Sequence, residues 1–171
     1  FSESEKQGSQ IGASIAHKII EPIGRNTAPA IALAALSVSE ETILFVTPSD
    51  HMIENGTSYN TAVSRAIELA NQNFIVTFGI KPTSPHTGFG YIEFDQEEVV
   101  KFREKPSAKE AELFLEKGNF YWNSGMFCFK AGVFLDELKK SAPEMLTACE
   151  KAVASMKNGK VSLDTMQKIP A

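Results

Sequence analysis

Four short clusters of polar residues and glycines in this chain have side chains and spacing that could bind phosphates and hydroxyl groups. The clusters are residues 24–29, 48–51, 87–93 with 103–106, and 122–125. Each lies where an apolar run that predicts a strand ends, or where a predicted helix begins. Carboxylates, amides, a lysine and free backbone N–H groups suit a phosphorylated sugar, with a divalent cation bridging the phosphates.

Asp50 is the candidate metal ligand. It follows a stretch, 42–47, whose four consecutive apolar residues at 43–46 predict a strand buried on both faces, as in a sheet that lies between helices. Pro48 ends this strand, so we expect Asp50 at the carboxyl edge of the sheet, where open α/β folds bind their ligands. An aspartate here is also common as a turn or capping residue, and that alternative stays open.

The segment 21–29 reads as a loop that runs directly into a helix rich in alanine and leucine. Asn26 or Thr27 is expected to cap this helix. Pro29 suits its first turn, because the N–H that proline lacks would be unpaired there. The loop is therefore predicted to present free backbone N–H groups, although Asn26 could be no more than a cap.

Glu104, Lys105 and Asn123 are the other polar candidates. A lysine binds phosphate as a point charge, and a carboxylate or an amide can hold sugar hydroxyl groups. Each has a structural alternative: Glu104 and Lys105 could form a solvated ion pair, and 123–125 could be a bulge that bends its strand. The sequence has no G-x-S-x-G, H-E-x-x-H or P-loop lysine motif, so a hydrolase is less well supported.

The order of the predicted elements indicates an α/β fold. A strand at 42–47, an amphipathic helix starting near Thr57 or Ser58 and a strand at 74–80 form a βαβ unit, for which a right-handed crossover between parallel strands is expected. Two alternating strands near 88–104 are expected to pair as an antiparallel excursion. We therefore predict a mostly parallel mixed sheet that is flanked by helices.

The remaining elements follow in order. Ser107 with Glu110 forms a capping box of the S-x-x-E kind, which begins a helix that ends at Gly118. A strand at 121–130 comes next, interrupted by the 123–125 segment, and two helices are predicted near 131–140 and 143–157.

Composition limits the partners and the compartment. A net charge of −4 without basic clusters argues against nucleic acid, and no apolar run approaches the roughly 20 residues that span a bilayer. Cys128 and Cys149 have no metal or disulfide spacing, so we interpret both as core thiols of a protein in a reducing cytoplasm.

Five motifs occur along the chain: E-P-x-G-R-N-T-A-P-A at 21–30, P-S-D-H at 48–51, F-G-I-x-P to T-G-F-G-Y-I at 78–92, F-x-E-K-P at 102–106 and W-N-S-G-M-F at 122–127. Through these motifs and their order the chain resembles the mannose-1-phosphate guanylyltransferases, also called GDP-mannose pyrophosphorylases, of the sugar nucleotidyltransferase superfamily. The resemblance implies a Rossmann-like core and transfer of GMP from GTP to mannose 1-phosphate, which gives GDP-mannose and pyrophosphate.

The resemblance also implies roles for nucleotide-site residues. Arg25, Asn26 and Thr27 are expected to line the guanine pocket, where free amides at a helix start are useful. Asp50 is expected to bind Mg²⁺, the implied cofactor, and to be catalytic in that sense.

The implied sugar-phosphate site consists of Gly90, Glu104, Lys105 and Asn123. Gly90, Glu104 and Asn123 are expected to hold the mannose ring, and Lys105 is expected to neutralise the sugar phosphate as a second catalytic residue. Gly90 fits its role physically, because only a residue without a Cβ lets the backbone approach a sugar closely.

Two family motifs have no counterpart in this sequence. One is the glycine-rich loop G-x-G-T-R-L-W-P, which carries the main catalytic arginine and lysine, and the other is S-I-D-Y-A-V-M-E, which supplies a second metal-binding aspartate. We therefore expect residues 1–171 to be one incomplete nucleotidyltransferase domain, an internal segment that is inactive alone. We count a homo-oligomer among the candidate assemblies.

Two alternative functions stay open. One is a sugar-1-phosphate nucleotidyltransferase that uses another base or sugar, and the other is a non-catalytic homologue that binds nucleotide sugars.

Overall fold

The computed structural model describes residues 2–12, 15, 17–54 and 56–170, so the expected domain bounds, Phe1 and Ala171, lie outside the described residues. Along this part of the chain the helices and strands are, in order, α1 Ser2–Gln10, α2 Thr27–Ala35, β1 Ile43–Val46, α3 Gly56–Asn71, β2 Val76–Ile80, β3 Tyr91–Asp95, β4 Glu98–Arg103, α4 Ala108–Lys117, β5 Phe120–Lys130, α5 Ala131–Ser141, α6 Pro143–Ala154 and α7 Leu163–Gln167. None of the helices described is both long enough and apolar enough to cross a bilayer.

The chain forms two compact units. One is Ile43–Lys130, which holds the sheet, and the other combines Phe1–Thr42 with Ala131–Ala171. We call them the sheet unit and the helical unit. A single incomplete domain stays a prediction.

The sheet is built around β5, a strand of 11 residues. β1 pairs with the C-terminal half of β5, β3 pairs with its N-terminal half, and β2 pairs with both halves. β4 pairs with β3, which gives the order β1-β5-β3-β4 with β2 also on β5. The α/β class is thus confirmed, and β5 is the strand that organises this unit.

The prediction of a mostly parallel sheet was wrong for the described strands, because every pairing among them is antiparallel. β1 and β2 do run in the same direction, as predicted for a βαβ unit, but β5 lies between them and runs the opposite way. An apolar run shows that both faces of a strand are covered, and it does not show which way the neighbouring strand runs.

β1 was predicted to be buried on both faces, but its residues are only half-buried. It lies at the end of the strand order, where it has β5 as its one partner among the described strands. Helix α3 covers this part of the sheet, where Ala66 and Ala70 pack with Cys128 of β5. Most of the buried positions of the sheet belong to β5, and the others are Tyr91 and Ile92 of β3.

The antiparallel excursion near 88–104 is confirmed as the β3–β4 hairpin. Tyr91 pairs with Arg103 at its open end, and Asp95 pairs with Glu98 beside the turn. Helix α4 packs next to it through Ala111 and Phe114. This hairpin carries Gly90 and Glu104, one residue before β3 and one residue after β4.

The predicted capping box at the start of α4 is also confirmed. The Ser107 hydroxyl accepts the Glu110 N–H at 3.4 Å, and a Glu110 carboxylate oxygen accepts the Ser107 N–H at 2.9 Å. The backbone and hydroxyl hydrogen bonds from Ser107 lower the pKa of Glu110. A carboxylate with a lowered pKa stabilises the fold at pH values above its unfolded pKa, and this contribution is lost as the pH falls through the folded pKa.

Replacing Ser107 with alanine is expected to lower the free energy of unfolding by about 1 kcal/mol at neutral pH, because α4 loses its N-cap. The loss should shrink in acid, where protonated Glu110 is a weaker acceptor for the Ser107 hydroxyl, which donates to its carboxylate at 2.8 Å. Urea denaturation at several pH values measures both effects, with Ser107→Thr as the control that keeps a hydroxyl group. A loss that is independent of pH would contradict the role given to Glu110.

The helical unit has its own core, in which α2, α5, α6 and α7 pack together. Its buried members are Ala32, Leu33, Leu138, Leu146, Cys149, Ala152, Val161, Met166 and Ile169. Cys149 here and Cys128 in the sheet unit are both free and buried, as expected for core thiols. Burial raises the pKa of the Cys149 thiol to about 11, with the nearby Glu21 adding to the shift.

Candidate active site

Several strand ends in the sheet unit lie beside the middle of β5. Gly79, near the end of β2, pairs with Asn123, and Tyr91, at the start of β3, pairs with Trp122. The register of β2 against β5 shifts between Thr77 and Gly79, opposite the 123–126 stretch. The sheet is therefore irregular at the point where the predicted site residues come together.

The irregularity is the bulge that the sequence left open as an alternative. Gly125 has φ 71°, a conformation that glycine adopts without a steric penalty. Ser124 is 6% exposed, and its hydroxyl donates to the Phe78 carbonyl at 2.7 Å and accepts the Met126 N–H at 3.2 Å. The bulge is thus a fixed feature, and it sets the direction of Asn123.

Gly90, Glu104 and Asn123 are brought together by three strands. The Asn123 N–H donates to the Gly90 carbonyl at 2.8 Å. An ideal Cβ on Gly90 would lie 3.0 Å from Glu104 Oε2 and 2.8 Å from Phe102 Cζ. A side chain at position 90 would therefore displace the Phe102 ring or the Glu104 carboxylate, so the glycine lets both lie against the backbone.

The Asn123 side chain is held in one orientation. Its Oδ1 atom accepts hydrogen bonds from the Thr77 hydroxyl at 3.3 Å and from the Gly125 N–H at 3.2 Å. With Oδ1 occupied in this way, the Nδ2 group is the part of the amide that can donate to a ligand oxygen. Thr77 was not among the predicted site residues, although it is the one polar side chain in the run 74–80.

Lys105 and Glu104 form an exposed ion pair at the end of β4. Lys105 Nζ lies 3.9 Å from Glu104 Oε1, and the two side chains are 68% and 59% exposed. A pair this exposed adds little to stability, so both groups are available to a ligand. Lys105 also has φ 41°, a strained backbone conformation of the kind that clusters at binding sites and costs about 1–3 kcal/mol.

The loop before Gly90 is held by His86. The His86 Nδ1 atom accepts the Gly88 N–H at 3.1 Å, its ring stacks on Phe89 at 4.2 Å, and its carbonyl accepts the Tyr91 hydroxyl at 3.0 Å. These contacts bracket Gly90 on both sides in the sequence. The contacts of His86 therefore fix the backbone around Gly90, which is expected to approach a sugar.

Asp50 lies in an exposed turn that follows β1, a position that leaves its role as a metal ligand a prediction. Pro48, two residues earlier, packs beside the bulge, 3.5 Å from where a Cβ on Gly125 would lie. Among the residues described, no group of three or more His, Cys, Asp and Glu could hold a metal ion. One exposed carboxylate still fits Mg²⁺, which commonly takes one or two carboxylates together with substrate phosphate oxygens.

Arg25, Asn26 and Thr27 lie in the helical unit, at the start of α2. Asn26 occupies the N-cap position with φ 73° and ψ −178°, but its side chain makes no capping hydrogen bond. This conformation is close to one that only glycine commonly adopts, and it costs about 1–3 kcal/mol. The first backbone N–H groups of α2 are thus left uncapped by Asn26, in agreement with the free N–H groups expected for the loop.

The chain matches a family described as "Nucleotidyl transferase" over residues 1–167. It is 44% identical over 153 residues to the mannose-1-phosphate guanylyltransferase of Escherichia coli K12, covering 81% of this chain and 32% of that protein. It is 45% identical over 154 residues to the xanthan biosynthesis protein XanB of Xanthomonas campestris, covering 86% and 33%. The chain thus spans about a third of the length of these curated relatives.

A solved structure has the same fold. The crystal structure of mannose-6-phosphate isomerase from Helicobacter pylori superposes with a TM-score of 0.89 at 44% identity, over 98% of this chain and 68% of that one. A nucleotidyltransferase core is therefore the architecture to which the site residues above belong.

Proposed function

We propose that this chain, which belongs to the nucleotidyl transferase family, forms part of the catalytic region of a mannose-1-phosphate guanylyltransferase. The reaction is the transfer of GMP from GTP to mannose 1-phosphate, which gives GDP-mannose and pyrophosphate. The curated relatives from Escherichia coli K12 and Klebsiella pneumoniae carry the name of this activity at 44% and 43% identity. The product would serve polysaccharide biosynthesis, for which the Xanthomonas relative is named.

The observation that carries the proposal is the convergence of Gly90, Glu104 and Asn123. The hydrogen bond between Asn123 and Gly90, and the close packing of Gly90 against Glu104, put an acceptor carboxylate and a donor amide beside a stretch of bare backbone. A pyranose presents hydroxyl groups that both donate and accept, so this combination suits a sugar ring. Lys105, adjacent and exposed, adds the single positive charge that a sugar phosphate needs.

The proposed roles follow from these positions. Glu104 accepts hydrogen bonds from sugar hydroxyl groups, and the Asn123 Nδ2 group donates to a sugar oxygen. Lys105 neutralises the phosphate and keeps its reacting oxygen in place. The protein contributes to such a transfer mainly by positioning the reactants and neutralising their charge, as in related phosphoryl chemistry.

The nucleotide and the metal complete the proposal. Asn26 and Thr27 would meet the guanine base, for which the uncapped start of α2 supplies N–H donors. Asp50 would hold Mg²⁺, which would neutralise charge on the transferring phosphates. GTP, mannose 1-phosphate and Mg²⁺ are therefore the partners to test.

An assay of substrate preference tests the proposal on the full-length gene product. Pyrophosphate release is measured with GTP, ATP, UTP or dTTP, each combined with mannose 1-phosphate or glucose 1-phosphate, with and without Mg²⁺. GTP with mannose 1-phosphate and Mg²⁺ is expected to give the highest kcat/KM.

Other outcomes distinguish the alternatives. Preference for UTP or dTTP with glucose 1-phosphate would assign another sugar nucleotidyltransferase, and tight binding of GDP-mannose without turnover would assign a non-catalytic binding protein. The Helicobacter neighbour is named for an isomerase, so mannose 6-phosphate is included as a substrate. Isomerisation that is lost with Glu104→Gln would assign this site to that reaction instead.

A further inference from the structure

We infer that Arg25 is a positioning residue and does not contact the base. Through its hydrogen bonds to α7 it fixes the conformation of residues 21–26, the loop before α2 that is proposed to bind guanine. The inference rests on the proposed function, because it assigns a role within the proposed nucleotide site. It also replaces the direct role in the guanine pocket that the family resemblance implies for this residue.

Two nitrogens of the Arg25 guanidinium group bind to α7. Arg25 Nε donates to the Met166 carbonyl at 3.2 Å, and Nη2 donates to the Gln167 carbonyl at 2.7 Å. Both carbonyls lie at the C-terminal end of α7, where a cation is favoured, and the Met166 carbonyl also accepts the Ile169 N–H at 3.1 Å. Arg25 therefore satisfies acceptors of its own chain, more than 140 residues away in sequence.

The end of α7 is a rigid anchor for this contact. The Met166 side chain is 0% exposed and Ile169 is 1% exposed, and both belong to the core that contains Ala32 and Leu33 of α2. The backbone to which Arg25 binds is thus fixed by the same core that fixes the helix after the loop. Because the acceptor backbone is fixed, the hydrogen bonds from Arg25 restrict the motion of the loop.

The other end of the loop is held by the same C-terminal segment. The Ile20 N–H donates to the Gly159 carbonyl at 2.8 Å, and the Val161 N–H donates to the Ile20 carbonyl at 3.2 Å. A Cβ on Gly159 would collide with the Lys18 carbonyl oxygen, so the two backbones are packed as closely as glycine allows. Residues 21–26 are therefore tied to 159–167 at both ends.

These contacts hold the backbone of Asn26 in place. Its strained backbone, at φ 73° and ψ −178°, has no side-chain capping bond to maintain it. Arg25 is the adjacent residue, and its side chain makes tertiary hydrogen bonds to Met166 and Gln167. Without them the loop is expected to relax, and the N–H groups at the start of α2 would no longer be presented in a fixed direction.

The test compares Arg25→Ala with a matched control in the full-length gene product. Arg25→Ala is expected to raise KM for GTP by about tenfold while kcat changes by less than about twofold, the size expected for losing hydrogen bonds to a charged group. Arg65→Ala is the control, because Arg65 also makes side-chain hydrogen bonds but pairs with Glu68 and Glu97 of the sheet unit. It should leave KM for GTP unchanged.

A double-mutant cycle separates positioning from contact with the base. Met166→Ala loosens α7, and Ser162→Ala, which removes the α7 N-cap, is a milder version should the first not fold. Combined with Arg25→Ala, either should raise KM no further than the larger single change, because both act through one contact. In Arg25→Ala, KM should rise by the same factor for GTP and for ITP, which lacks the exocyclic amine of guanine.

The outcomes keep the two proposals apart. A wild-type protein that does not transfer from GTP overturns the proposed function. If the wild-type protein does transfer GMP, two results would overturn only the role of Arg25. One is that the effects of Arg25→Ala and Met166→Ala on KM multiply in the double mutant. The other is that Arg25→Ala weakens the binding of GTP much more than that of ITP.

Discussion

Replacing Lys105 with glutamine is expected to lower kcat/KM for mannose 1-phosphate by about 100- to 1,000-fold, the range found when one preorganised donor is removed from a reacting centre. Lys105 is exposed and is paired only weakly with Glu104, at 3.9 Å, so little of its charge is used within the fold. The substitution keeps a long polar side chain and removes the charge. Stability, followed by thermal unfolding, is expected to change little, because exposed ion pairs contribute little to it.

Lys101→Gln is the matched control for this prediction, since Lys101 is an exposed lysine of β4, the strand that ends two residues before Lys105. It should leave the kinetic constants within about twofold of wild type. Equal effects of the two substitutions would show that the overall charge of the hairpin matters, and not the position of Lys105, and would contradict the assignment.

Replacing Gly90 with alanine is expected to lower kcat/KM for mannose 1-phosphate by about 10- to 100-fold, because a displacement of about 1 Å at a reacting centre can cost about 100-fold and the shift expected here is smaller. The added Cβ would lie 2.8 Å from Phe102 Cζ and 3.0 Å from Glu104 Oε2, so the ring must shift and the carboxylate must move by a few tenths of an ångström. The effect should fall on the sugar substrate, with KM for GTP changed much less. Steady-state kinetics with each substrate varied in turn measures the difference.

Gly56→Ala is the matched control, because nothing lies within 4 Å of where its Cβ would be placed. A small gain or loss of stability without a kinetic effect is expected there. If Gly90→Ala left the KM for mannose 1-phosphate unchanged, Glu104 would not be a sugar ligand, whatever the stability of the variant.

Local sequence patterns predicted the features that depend on local physics. The capping box of Ser107 and Glu110 formed as expected, since both partners lie within one helical turn. The β3–β4 hairpin and the strand before Pro48 also formed, because alternation indicates a strand and a proline indicates its end. These elements account for the placement of Glu104 and Asp50.

The features that the sequence did not reveal depend on distant pairings. The central position of β5, and the antiparallel direction of its neighbours, depend on strands up to 87 residues away, as in the pairing of Ile43 with Lys130. No local pattern encodes such a choice. The sheet was therefore predicted with the right strands and the wrong direction of pairing.

The same holds for single side chains in the site. The position of Asn123 was predicted by a motif, but the occupation of its Oδ1 atom by Thr77 became visible only when β2 was paired with β5. The family resemblance placed Arg25 at the guanine base. Its hydrogen bonds to Met166 and Gln167 join residues that are more than 140 positions apart in the sequence. Residue type indicated which side chains are candidates for the site, and tertiary contacts determined which of their atoms already have hydrogen-bond partners.

The most direct test of the sugar-phosphate site is a titration of the isotope-labelled full-length gene product with GDP-mannose, followed by amide chemical shifts. We predict saturable shifts for the N–H groups of Gly90, Glu104, Lys105 and Asn123, which are lost in Gly90→Ala and retained in Gly56→Ala. Saturable binding of GDP-mannose that leaves these four amides unchanged would contradict the assignment of the sugar-phosphate site.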